Sequence, residues 1–213
     1  MIYKLPPEEI RSSIHGVIKI LKGAEDGLSS FNLSTDGFWR SFQALWLILV
    51  PYFIAILAER HTLIGNMGIE LSAFPSTQFF FTKLTNIGLE WIMMPIALAL
   101  LAGVLNIKQE YSKYIIVRNW ASVVMTWAFF IPTLASIAKL VSIELVLFIQ
   151  MGLLGFVVFL SFRIARLTLE KPASFCAVLV GIDFMAGLVL SQIIWRSLGP
   201  AEVVDFLSKN AIQ

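Results

Sequence analysis

The chain has 213 residues, of which 58% are hydrophobic and only 14% charged, and its net charge is +2. Soluble domains run at about 45–50% apolar and about 25% charged, so the expected solvent is a bilayer, and five crossings use up a chain of this length without leaving room for a soluble catalytic or ligand-binding domain. The small, dispersed positive charge excludes a nucleic-acid surface and fits anionic lipid headgroups instead.

The first 37 residues carry neither the continuous apolar core nor the small-residue cleavage site of a secretory signal. The N-terminus is therefore expected to persist, with the first span acting as the insertion signal. After Pro6-Pro7-Glu8-Glu9, residues Ile10, Ile14, Val17, Ile18 and Leu21 recur at helical spacing, while Arg11, His15, Lys19 and Lys22 occupy other faces. This pattern predicts an amphipathic helix lying on the inner leaflet. Docking of the same stripe on a protein partner is the alternative. His15 reads as a solvated face residue. Gly23 to Ser30 reads as a loop, with Ser34, Thr35 or Asp36 placed to cap the first span.

Five membrane helices follow, at about Phe38 to Ala58, Thr85 to Leu105, Arg118 to Ala138, Leu145 to Phe162 and Ala173 to Trp195. The fold class is thus all-α, a single polytopic domain over residues 1–213 with five transmembrane helices and an N-terminal interfacial helix. Glu59 to Lys83, with Gly65, Gly68 and Pro75, reads as an irregular surface hairpin, and Phe79, Phe80 and Phe81 as interfacial aromatics beside Lys83. Only a few residues, Lys139 to Glu144, separate the third and fourth spans, which predicts a tight antiparallel hairpin. Beyond Gly199-Pro200 the tail 196–213 is expected outside, with a short amphipathic helix through Val203, Val204, Phe206 and Leu207.

Basic residues set the orientation. Lys4, Arg11, Lys19, Lys22 and Arg40, then Lys108, Lys113 and Arg118, then Arg163, Arg166 and Lys171 fall on one side, eleven in all. The other side holds Arg60, Lys83, Lys139, Arg196 and Lys209. A cytoplasmic N-terminus and a periplasmic C-terminus follow. The single cysteine, Cys176, excludes an intrachain disulfide and reads as a buried, inert thiol.

Asp183 is the eleventh residue of the run from Ala173 to Trp195. That count puts it near the bilayer midplane, where a charged carboxylate costs at least about 2.5 kcal/mol, so it should be protonated, paired or facing a cavity. No Lys or Arg is expected at its depth. Pro51, Pro95 and Pro132 break the first three spans and free the carbonyls of Leu47, Trp91 and Ala128. A protonated Asp183 donating to a freed carbonyl, or to Tyr52 or Thr126, gives a purely structural role. The functional alternative gathers Glu90, Gln150, Gln192 and Thr133 in the outer halves of their spans as a polar vestibule above Asp183, suited to proton-linked transport. Small residues in two rows, Ala173, Ala177 and Gly181, and Asp183, Gly187 and Ser191, together with Gly152 and Gly155, are read as sites of close helix approach inside the bundle. No His-Glu-x-x-His pair, Gly-x-Ser-x-Gly elbow or phosphate-binding glycine loop occurs, and no carboxylate pair stands at metal-ligand spacing. Neither a metal nor another cofactor is expected.

The segment Phe31-Asn32-Leu33-Ser34-Thr35-Asp36-Gly37-Phe38-Trp39-Arg40-Ser41-Phe42, with Tyr111-x-x-Tyr114 and Asn119-Trp120, resembles an uncharacterised family of small polytopic alphaproteobacterial membrane proteins. The five-span layout with its N-terminus inside is also similar to the Yip family, whose eukaryotic members act in membrane trafficking; the Asp-Leu-Tyr-Gly-Pro type of motif associated with that family is absent here. The resemblance implies a bacterial inner-membrane protein and carries no catalytic assignment. Trp39 and Arg40, with Tyr111, Tyr114, Arg118 and Trp120, suit an inner interfacial belt, so Arg11, Lys19, Lys22, Trp39, Arg40, Arg118 and Trp120 are the candidate headgroup contacts. The expected role is a scaffold or accessory protein without enzymatic activity, touching anionic lipids and a membrane-protein partner; a small transporter or channel-like protein using Asp183 is the alternative.

Overall fold

The structure, a computed structural model, describes residues 5–210, and no strand occurs among them. Lys4, one of the bases that set the orientation, lies outside the described residues. Helix α1 is Pro7–Lys22, a 3-10 turn spans Glu25–Ser30, and α2 is Thr35–Ser41. The longer helices are α3 (Ala44–Met67), α4 (Ser76–Leu101), α5 (Tyr111–Ile137), α6 (Ile143–Leu169) and α7 (Ala173–Leu198), and α8 (Ala201–Asn210) closes the chain. Five apolar stretches are long enough to cross a membrane: α4, α5, α6, α7 and the combined run of α2 and α3.

Local chemistry explains the helix ends. Pro7 opens α1 with Glu8 and Glu9 in its first turn and Lys19 and Lys22 in its last, matching the helix dipole. Gly23 then takes φ 97° and stops it. At α2, Asn32 Oδ1 accepts from Ser34 N at 3.1 Å, and Ser34 Oγ accepts from Gly37 N at 3.1 Å. A Cβ at residue 37 would lie 2.0 Å from the Asn32 carbonyl oxygen, so this turn requires glycine. The cap expected at Ser34 is therefore present, but it starts a short helix of its own, and α3 runs on to Met67.

The second span needs a larger correction. Helix α4 starts at Ser76 rather than near Thr85, and the presumed surface hairpin shrinks to residues 68–75. The cause is aromatic packing: Phe79 is fully buried, with its ring 5.4 Å from Phe74 and 6.0 Å from Trp195. Lys83 sits 4.9 Å from the Trp195 ring and pairs with Glu59 at 2.7 Å. Of the three phenylalanines only Phe81 is exposed, so the triplet mainly welds helices together. The α5–α6 hairpin and the tail helix α8 stand where expected, and α8 buries Val203 against this same cluster.

At about 1.5 Å per residue, the 26–27 residues of α5, α6 and α7 make rods of about 40 Å. That exceeds a hydrocarbon core of about 30 Å. For α5 and α6 the excess is sheathed at one end, where α1 packs on both and α2 packs on α5. Ile116, Trp120, Leu160, Ile164 and Cys176 form a core there that is nearly sealed from solvent. Polar clasps tie the sheath down: Asn119 Nδ2 donates to Ser41 Oγ at 3.0 Å, Arg163 Nη1 donates to the Leu21 carbonyl at 3.2 Å, and Arg40 pairs with Glu9 at 2.9 Å. The segments 31–42 and 111–114 meet beside this core, with Phe38 and Tyr111 rings 6.0 Å apart.

This sheath overturns most of the expected headgroup belt. Trp120 is 1% exposed and Tyr114 2%. Arg40 is taken by Glu9, and Lys19 by Asp26 at 2.7 Å. Trp39, Arg11 and Lys22 stay exposed. The small rows also differ from expectation, because Gly152, Gly155, Gly181 and Gly187 face open space rather than a neighbouring helix.

Candidate functional site

Helices α4, α5, α6 and α7 close a ring in which α5 and α7 each pack on α4 and α6. Arg118 lies seven residues into α5, Asp183 ten residues into α7, and Glu90 eleven residues before the end of α4. Because α4 runs against the other two, all three sit about 10–17 Å above the sheathed end. Helix direction thus brings together residues far apart in sequence.

Arg118 Nη2 donates to both Asp183 oxygens at 3.3 Å, and the two side chains are 21% and 23% exposed. The expectation that no base shares the depth of Asp183 is therefore wrong. The error came from length: α5 begins seven residues before Arg118, and its first turns belong to the sheathed core, so Arg118 enters the ring instead of ending a span. On α7, the Cα–Cβ bond of Asp183 tilts back toward the helix N-terminus and so toward the level of Arg118.

Two cavities meet at this guanidinium. One, of about 140 Å³, is lined by Tyr114, Arg118, Ser122, Ser161 and Asp183 among apolar neighbours. The other, of about 230 Å³, is lined by Tyr52, Glu90, Trp91, Arg118, Ser122 and Thr126. Arg118 and Ser122 are shared walls. Glu90 Oε1 accepts from Asn86 Nδ2 at 2.9 Å, and Tyr52 donates to the Lys83 carbonyl at 3.1 Å. Among the described residues the Trp91 Nε1 atom, in the wall of the second cavity, and the Asn86 Oδ1 atom have no hydrogen-bond partner.

Other expected site residues fall elsewhere. Gln150 Nε2 donates to Thr133 Oγ1 at 3.1 Å, making a separate α5–α6 clasp, and Gln192 is exposed. The vestibule above Asp183 is thus dispersed, while Glu90 comes to nearly the same level as Asp183 because α4 ends at Leu101, four residues before the expected Leu105. Pro51, Pro95 and Pro132 are buried inside helices that continue through them. The carbonyl that Pro51 frees, Leu47, accepts from Trp127 Nε1 at 3.2 Å rather than from Asp183.

The sequence did hold a signal for this site. Tyr111, Tyr114, Arg118, Ser122 and Thr126 recur at three- and four-residue steps, one polar stripe along α5. Among the described residues no group of three His, Cys, Asp or Glu side chains is placed to hold a metal ion. What the cluster offers is one fixed cation between two acids that belong to different helices. No protein-family model, no curated protein and no solved structure matches the chain.

Proposed function

We propose that the chain is a non-enzymatic integral protein of the bacterial inner membrane, N-terminus cytoplasmic and C-terminus periplasmic, that passes a small polar solute together with a proton through the α4–α7 ring. One observation carries this role: Arg118 forms a wall of two adjacent cavities, each of which holds one carboxyl group. Arg118, Asp183 and Glu90 sum to a formal charge of −1, and one bound proton brings the set to neutrality, the state favoured in a low-dielectric core. Proton binding at Asp183 frees Arg118 to turn toward Glu90, so occupancy of one cavity is linked to the charge of the other. The inner membrane location follows the family resemblance, and the orientation follows the bias in basic residues.

The test is proton flux into proteoliposomes loaded with a pH-sensitive dye, with mixed amino acids, carboxylates or sugars added outside. Wild-type protein should acidify the lumen with at least one solute class, and Glu90→Gln and Asp183→Asn should abolish this while keeping the fold. Flux in those variants equal to wild type, or wild-type flux no greater than in empty vesicles, would sink the proposal.

A scaffold or accessory role is the second reading. Its support is the α6–α7 groove of about 430 Å³ lined by Gly155, Ala177 and Gly181, which the chain's own helices leave open. A stoichiometric membrane partner that co-purifies in mild detergent and is lost on Gly155→Leu would favour it over transport.

A further inference from the structure

We infer that the corner between α1 and α5 binds one anionic phospholipid, with an acyl chain in an apolar groove and the phosphate beside Arg11 and His15. Around α1, Ser13, Val17 and Ile20 turn into the protein, whereas Ile10, Ile14 and Ile18 turn along its flank. That flank faces Leu47 of α3 and Val124, Trp127 and Ile131 of α5 across a groove of about 560 Å³ whose walls are almost wholly apolar. The α5 residues belong to a helix long and apolar enough to cross a membrane, so in a bilayer the groove opens toward hydrocarbon.

Directly across Ile14 and Ile18 lies the exposed face of α1, where Glu8, Arg11, Ser12 and His15 stand beside those two residues. One continuous surface therefore passes from apolar to polar within the width of a single helix, with the Arg11 cation at its edge. That is the profile of an amphiphile with an anionic head. Arg11 and His15 are exposed, and Arg11 makes no ion pair among the described residues, while Lys19 and Arg40 are already taken by Asp26 and Glu9. Glu8 on the same face opposes the phosphate, so the Arg11 cation, with the His15 imidazole beside it as a hydrogen-bonding group, holds the headgroup against one carboxylate. The groove accepts a fatty chain and the face beside it a phosphate; a phospholipid of the adjoining leaflet supplies both.

The groove is also preformed. A Cβ at Gly16 would lie 2.6 Å from the Phe31 ring, so α1 and the following turn are in close contact, and the Arg163–Leu21 bond pins the end of α1 to α6. A fixed wall lowers the ordering cost of binding. It also separates this site from the general lipid annulus, which exchanges freely.

Native mass spectrometry of the full chain, delipidated in mild detergent and titrated with phosphatidylglycerol or phosphatidylcholine, tests the inference. Wild type should hold one phosphatidylglycerol with about a tenfold preference over phosphatidylcholine, the effect expected of one or two interfacial bases. Arg11→Ala with His15→Ala should erase the preference and leave weaker, headgroup-blind binding. Ala128→Phe, which fills the groove from the α5 side, should remove the one-to-one adduct with either lipid, and Ile18→Glu gives a second route to the same loss. The inference is overturned if no one-to-one adduct forms, if the preference survives loss of both bases, if the adduct persists in both groove variants, or if the groove changes instead dissociate a dimer of the chain. None of these outcomes depends on Asp183 or on flux, so this site and the proposed transport stand or fall separately.

Discussion

Replacing Asp183 by leucine leaves the Arg118 guanidinium inside the ring without its counter-charge. Two unit charges about 4 Å apart attract by about 4 kcal/mol at an effective dielectric constant of 20, most of which offsets desolvation rather than adding stability. Losing one partner of a buried pair costs about 3–5 kcal/mol. Both side chains here are about one-fifth exposed, and both contacts run from a single nitrogen at 3.3 Å, longer than the usual 2.7–2.9 Å or so of a charge-assisted bond. The expected loss for Asp183→Leu is therefore about 2–3 kcal/mol, below the buried-pair range. Asp183→Asn keeps a carbonyl acceptor for Nη2 and should lose only about 1 kcal/mol. Arg118→Met combined with Asp183→Leu should be more stable than the sum of the single changes predicts, by at least about 1 kcal/mol. Equilibrium unfolding in mixed micelles, followed by circular dichroism, measures wild type, Asp183→Leu, Asp183→Asn, Arg118→Met and the double variant. If Asp183→Leu matches wild type within about 0.5 kcal/mol, or if the two changes simply add, the ion pair has no energetic content and the site loses its anchor.

Trp120 fills the sheathed core at 1% exposure, so Trp120→Ala should cost about 3–5 kcal/mol in the same unfolding assay; an interfacial Trp120 would cost far less. Glu170 sits at the end of α6 with the Lys113 ammonium 2.7 Å away, and that hydrogen bond and charge hold its carboxyl below the ordinary value. Its folded-state pKa is depressed, so the contribution is present above the unfolded value of about 4.3 and fades as pH falls through the folded value. Lys113→Met should therefore lose less stability than wild type when thermal melts are taken from about pH 6 down to about pH 3, and an identical acid response would remove the pair from the account. Cysteines placed at Lys22 and Ser208 should react with impermeant maleimide from opposite sides of the membrane, while buried Cys176 stays silent; labelling from one side would refute the proposed orientation.

Hydropathy made the five long helices, the short α5–α6 turn and the tail helix legible, because each depends on local runs and on Gly or Pro punctuation. Boundaries were less legible wherever tertiary packing extends a helix beyond its most apolar window. Residues Ser76 to Leu84 look like a polar-aromatic loop in isolation, yet Phe79 and Lys83 find Phe74, Trp195 and Glu59 only after α3, α4 and α7 have assembled. The same holds at the opposite end, where α1 and α2 supply the apolar and polar partners that let α5 and α6 run longer than the hydrocarbon thickness of a bilayer.

That extra length explains why the site was half seen. Asp183 announced itself, since an acid inside an apolar run has no cheap explanation, but its depth was counted from a span taken to fill the bilayer and no more. In the structure Asp183 lies ten residues into α7 and Arg118 seven into the parallel helix α5, which puts the acid within reach of a base. Arg118 carried the matching ambiguity: at the first residue of a predicted span it looks like an interfacial anchor, and seven residues inside a helix it is a ring residue. The base at the edge of one hydropathy run and the acid inside another are, in this chain, two halves of the same pair. The shared cause is a collar of α1 and α2 around the ends of α5 and α6, which carries Arg118 into the ring, and it makes the energetic coupling between Arg118 and Asp183 the measurement on which the proposed site depends.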